Sequence, residues 1–245
     1  MEEFVAYAQK NLLPLMPLVF ALVMVSQGIL GLLSLLFNRA KVKIYSAGLI
    51  EIGLSQFGST IALFGTLQAL SKDSFITQIK LVVSDSAQQF TRTFEWRALK
   101  PYTFSLLPME EIKLELVSAF LLSTKAPVKH NVVFVDDELL KQYAEEIIKI
   151  NQLWHVNEQQ DMQTFWQTEP VQTLLARLRK DFYWQAGRYN LKVEIYTPNK
   201  VHNQQFQFEL TEQQVAVLKG NVVKIVEFIC GHPSKFDYVN CSYLN

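Results

Sequence analysis

Two cysteines in 245 residues are too few for a disulfide framework, and a chain of this length can bury a core without one. A surplus of either charge is also missing. Lys plus Arg and Asp plus Glu are each 23, so the formal net charge is zero and no overall basic field exists to draw nucleic acid. There is no GxSxG elbow, no GxxxxGK[ST] phosphate loop and no GxGxxG turn between strand and helix. His130, His155, His202 and His232 are scattered, and none falls in an HExxH pattern. These absences weaken hydrolase, nucleotidase and dinucleotide-enzyme readings and imply no cofactor. An enzyme whose active site is assembled from unlinked residues stays open.

What the chain does have is one long uncharged stretch, Leu12 to Phe37. A helix crossing a hydrocarbon core of about 30 Å needs roughly 20 apolar residues, and this stretch supplies them. Glu2 and Glu3 open the chain and "NRAKVK" follows the apolar run, which is not the pattern of a cleaved export signal. The expectation is a single transmembrane helix over residues 12–38, preceded by a short extracytoplasmic N-terminus over 1–11. Lys10 stands before the span against Arg39, Lys41 and Lys43 after it, so the positive-inside bias puts residues 41–245 in the cytoplasm, at the inner membrane of a bacterium-like cell. Gly28, Gly31 and Ser34 form a stripe of small side chains through which such helices can associate.

From Lys41 the pattern alternates with a period near two, as half-buried strands do. Ile61, Leu63, Leu67 and Ala69 share one parity; so do Ile79, Leu81 and Val83, and so do Phe90, Phe94 and Trp96. "EIKLELV" alternates too, and turn-like "SKDS", "SDSAQQ" and "KPYT" separate the runs. Between 136 and 186 the period becomes helical. "DDELLKQYAEEIIKINQLW" and "TEPVQTLLARLRKDFYW" each open with acidic residues and carry apolar residues at helical spacing, which reads as a helical insertion. Strands return with Tyr189, Leu191, Val193 and Ile195, then Phe206, Phe208 and Leu210. Thr211 and Gln214 fit the capping box of a C-terminal helix.

"GRYNL" resembles the entry to the sixth strand of immunoglobulin-like domains, where a Gly-x-Tyr-x-Cys pattern places a tyrosine at a corner. Gly187, Tyr189 and Leu191 occupy those places, with Leu where antibody domains carry Cys. The resemblance implies a mainly-β, immunoglobulin-like antiparallel sandwich with Tyr189 as its tyrosine corner, and no activity.

Cys230, His232 and Cys241, with His202 as a fourth ligand, are the only set that suggests zinc, at a spacing that matches no standard finger. A buried thiol and a thiol near a chain end is the plainer account. Asp136, Asp137 and Glu138 suit a helix N-terminus electrostatically. Arg177, Arg179 and Lys180 beside Trp184 are a basic and aromatic group of the kind that meets an anionic leaflet. The function that follows is a membrane-anchored protein-interaction or scaffold module. Its partners are the lipid bilayer and either another protein or a second copy of itself, with nucleic acid excluded. An oligomeric membrane effector that perturbs the bilayer on a signal is the alternative.

Overall fold

In a computed structural model, residues 20, 24–29, 41–86, 90–100, 115–116, 118–156, 162–232 and 234–244 are described. Eight long strands dominate: β1 (Val42–Ser55), β2 (Gly58–Ala69), β4 (Gln78–Asp85), β5 (Thr91–Lys100), β8 (Val128–Asp136), β9 (Gly187–Thr197), β10 (Lys200–Leu210) and β11 (Tyr238–Leu244). Three short strands, β3 (Ser74–Ile76), β6 (Glu115–Leu116) and β7 (Phe120–Leu122), accompany them. The alternation explains the long strands. In β9, Tyr189, Leu191, Val193 and Ile195 are buried while Arg188, Asn190, Lys192 and Glu194 are not.

The sheet runs β4-β9-β10-β11-β1-β2-β8-β5, every pairing antiparallel, and β4 also pairs with β5. That last seam closes the ring. The architecture is therefore a closed eight-stranded barrel, which corrects the immunoglobulin-like sandwich expected from the sequence. A sandwich needs two sheets with edges, whereas β4 is bonded on one side to β9 (Val82↔Lys192) and on the other to β5 (Val82↔Thr93). Closure removes the free edges that would otherwise template pairing with another chain. Inward residues from all eight strands fill the barrel, with Ile52, Ile61, Leu81, Phe94, Phe134 and Leu191 fully buried.

Among the described residues, the five helices that follow β8 lie at one end of the barrel. After β8 come α1 (Glu138–Gln142), α2 (Ala144–Val156), α3 (Met162–Trp166) and α4 (Glu169–Lys180); α5 (Glu212–Ile229) links β10 to β11. Their apolar faces pack on one another and on Leu54, at the end of β1, so this second core stoppers the barrel mouth. The capping box is present: the Gln214 amide donates to Thr211 Oγ1 at 3.2 Å, and the Gln214 side chain accepts from the Thr211 amide at 2.9 Å. A buried amide, Asn221, donates to Asp237 O (2.7 Å) and accepts from Asp237 N (3.0 Å), which ties the return loop to α5 before β11 begins.

Where β11 runs out, a side chain completes the ring. The β11 pairing with β1 covers only Leu49 to Gly53, leaving the start of β1 without a strand on that side. Gln204 of β10 reaches across, its Oε1 accepting from Ile44 N at 2.9 Å and its Nε2 donating to Ile44 O at 2.8 Å. Between Ser46 and Ile50 the β1–β2 register shifts through a bulge, with Gly48 at φ +86°. Gly58 closes the β1–β2 hairpin at φ +102°, where a Cβ would stand 2.2 Å from Asp136 O, so only glycine fits.

Among the described residues no helix is long and apolar enough to cross a membrane. This corrects the expected transmembrane helix. Residues 24–29 are helical and exposed, Gly28 having open space around it, while the rest of the expected stretch, Gly31 and Ser34 included, lies outside the described residues apart from Phe20.

Candidate functional site

The barrel interior offers little room. A cavity of about 20 Å³, lined mostly by apolar side chains including Ile44, Leu67, Ile79, Val132 and Val193, has space for about one water. The larger space is at the helical mouth, a polar cleft of about 400 Å³ lined by Arg92, Glu138, Leu139, Gln142 and Asp181.

Each element brings one part of that cleft. Asp136, 5% exposed, is the last residue of β8. Its Oδ1 accepts from the Glu138 amide at 3.2 Å, helping to start α1, and its Oδ2 accepts from the Tyr183 hydroxyl at 3.0 Å. Arg92 of β5 donates to Glu138 and lies with its guanidinium carbon 5.2 Å from the Tyr183 ring centroid. Asp181, just past α4, accepts from the Tyr143 hydroxyl between α1 and α2. Asp137 takes Lys141 at 2.8 Å and Arg97 at 3.3 Å.

The electrostatics follow from these pairings. The bond to Asp181, with burial behind it, pushes the Tyr143 phenol up to about 12. Burial first, then the charge of Asp136, raises Tyr183 well above the ordinary phenol value. Both tyrosines stay protonated donors at neutral pH, and the neighbouring carboxylates are their acceptors. Arg92 and Arg97 are in turn matched with acids. These pairings clamp the helices to the barrel rim.

The residues singled out from the sequence fall elsewhere. Cys230 caps α5 in the helical core, whereas Cys241 faces the barrel core with its sulfur 3.8 Å from Gln214 Nε2. Burial raises both thiols to about 11. His202 points into the barrel at the end opposite the helices, and His232 packs edge-on to Trp154 with ring centroids 5.3 Å apart. Among the described residues no group of three or more His, Cys, Asp or Glu could hold a metal. Trp184 is 2% exposed, at the centre of a cluster with Phe94, Tyr189 and Phe208, away from solvent. Arg177 is paired with Glu146 at 2.9 Å, and Arg179 and Lys180 are exposed on the same helix. The Tyr189 hydroxyl donates to Gln185 O and accepts from Gln185 N, both at 2.9 Å, a local corner that here opens a barrel strand.

The cleft itself was missed. Its signal was charge on an apolar parity: Arg92 falls between Phe90 and Phe94, and Asp136 follows Val132 and Phe134. No protein-family model matches the chain, and no curated protein or solved structure is significantly similar to it.

Proposed function

We propose that this protein is a non-catalytic interaction module, in which the barrel is a rigid platform and the helical end docks another protein. The observation that carries this reading is the two-sidedness of α2. Ile150 is buried and Ile147 and Trp154 are half-buried against the other helices, yet Ile148 and Val156 are 56% and 82% exposed on the outside of the same helix. Exposed branched apolar residues on a helix held rigidly by its other face suit the helix-and-groove mode of recognition. The filled barrel and the internally paired cleft support the same reading.

Purification of the tagged chain from the cell that makes it, beside an I148D/V156D variant, tests the proposal. One polypeptide at fixed stoichiometry with the wild type, absent from a variant that keeps its fold, is expected. Recovery of the same species with both proteins, or of none with either, refutes the role given to α2.

A further inference from the structure

The end of the barrel away from the helices has a composition of its own. Lys41, Lys43, Lys72, Lys125 and Lys200 are all exposed there. Short contacts hold their segments together. Leu70 N donates to Lys41 O at 2.8 Å; Thr124 N and Oγ1 donate to Asp73 Oδ1 at 2.7 and 3.0 Å; Thr77 N donates to Tyr196 O at 3.0 Å, next to the hairpin that carries Lys200. Beside these lysines, Phe75 and Leu121 are register partners of β3 and β7, 45% and 61% exposed, and Leu70 and Val201 are exposed near them.

At the helical end Arg92, Arg97, Arg177, Lys141 and Lys224 each meet a carboxylate, and Arg179 and Lys180 are exposed beside them. Among the described residues none of the five lysines at the other end forms an ion pair; Asp73 beside them accepts from Thr124 and feels the charge of Lys125. Among the described residues this end therefore carries more positive than negative charge.

We infer that this lysine end rests on the surface of an anionic lipid bilayer. Positive charge alone suits any polyanion. Apolar tips interleaved with the lysines suit a surface that is anionic outside and hydrocarbon just beneath. Lipid contact puts the helical end, and whatever α2 binds, on the far side from the bilayer.

The test uses the full chain carrying an environment-sensitive fluorophore at L121C or, separately, at I148C. Each is mixed with vesicles of phosphatidylcholine alone or with about one-third phosphatidylserine. The 121 probe is expected to shift to the blue on the anionic vesicles only, the shift to vanish at high salt, and the 148 probe to stay unchanged. In a K43Q/K72Q/K125Q/K200Q background, all exposed positions that leave the core intact, the preference for anionic vesicles is expected to fall by about 600-fold, since each of the four lysines contributes about fivefold at such a surface. An equal response to both vesicles, a preference that survives the four substitutions, or a response at 148 in place of 121 overturns the inference. Binding of a DNA oligonucleotide as tight as that of the anionic vesicles overturns it as well, and assigns the face to nucleic acid.

Discussion

Replacing Gln204 examines how the barrel is sealed at its thinnest seam. In Q204M a side chain of similar length keeps the packing and loses both hydrogen bonds to Ile44. Each such bond contributes a net 0.5–1.5 kcal/mol, and the two Ile44 groups left behind are only partly reached by water, so the loss is about 2 kcal/mol. For a domain of this size that lowers the midpoint of thermal unfolding by about 5 °C. Q204E is informative beside it: one oxygen still accepts from Ile44 N, but the other faces Ile44 O without a proton to share, so this variant is expected to be no more stable than Q204M at neutral pH. Denaturant titration gives the stabilities, and amide exchange at Ile44 gives the seam itself. A loss below about 0.5 kcal/mol for Q204M, or unchanged exchange at Ile44, refutes the idea that the glutamine stands in for the missing length of β11.

Four further outcomes follow from individual residues. Gly220 sits exposed in the middle of α5 with open space where a Cβ would go, so G220A is expected to raise stability by about 0.5–1 kcal/mol, measurable by urea titration. G58A is expected to cost several times that, about 2–4 kcal/mol, because it combines a left-handed backbone with a collision against Asp136 O; a neutral result in the same titration contradicts the hairpin geometry. Cys230 and Cys241, with thiols raised to about 11, are expected to resist alkylation at pH 8 until the chain unfolds. The sign of the linkage is fixed: unfolded thiols ionise near the ordinary value while native ones hold their protons, so stability falls as pH rises from about 9 towards 11, and a flat stability profile over that range contradicts the burial of these thiols.

Much of the local structure was legible in the sequence. The alternating runs at 58–69, 78–85, 91–100, 187–197 and 200–210 are strands, and the capped segment after Thr211 is a helix. Closure was not legible, because a barrel and a sandwich bury the same parity of the same strands, and nothing in the alternation of β4 says that it bonds to β5 and β9 at once. The tyrosine at 189 misled for a related reason: its bonds to Gln185 are set by the first turn of β9 and are indifferent to how the sheet ends. β11 escaped notice because Val239, Cys241 and Tyr243 make only a short pattern after a polar loop. The ring also hid the rim cleft, since Arg92, Tyr143, Asp181 and Tyr183 come from separate elements that meet only when eight strands close and four helices fold back across the mouth.

Hydrogen exchange along β4 tests the closed, filled platform most directly. Consecutive amides of a strand point to opposite sides, so from Lys80 to Ser84 they face β5 and β9 in turn. Uniform slow exchange through these five residues is the expected result, and it means a barrel sealed on both sides of β4, as the proposed platform requires. Fast exchange at every second amide would mean that β4 is an open edge, giving ligands or another strand a way in, and the account of this protein as a solid interaction platform would be wrong.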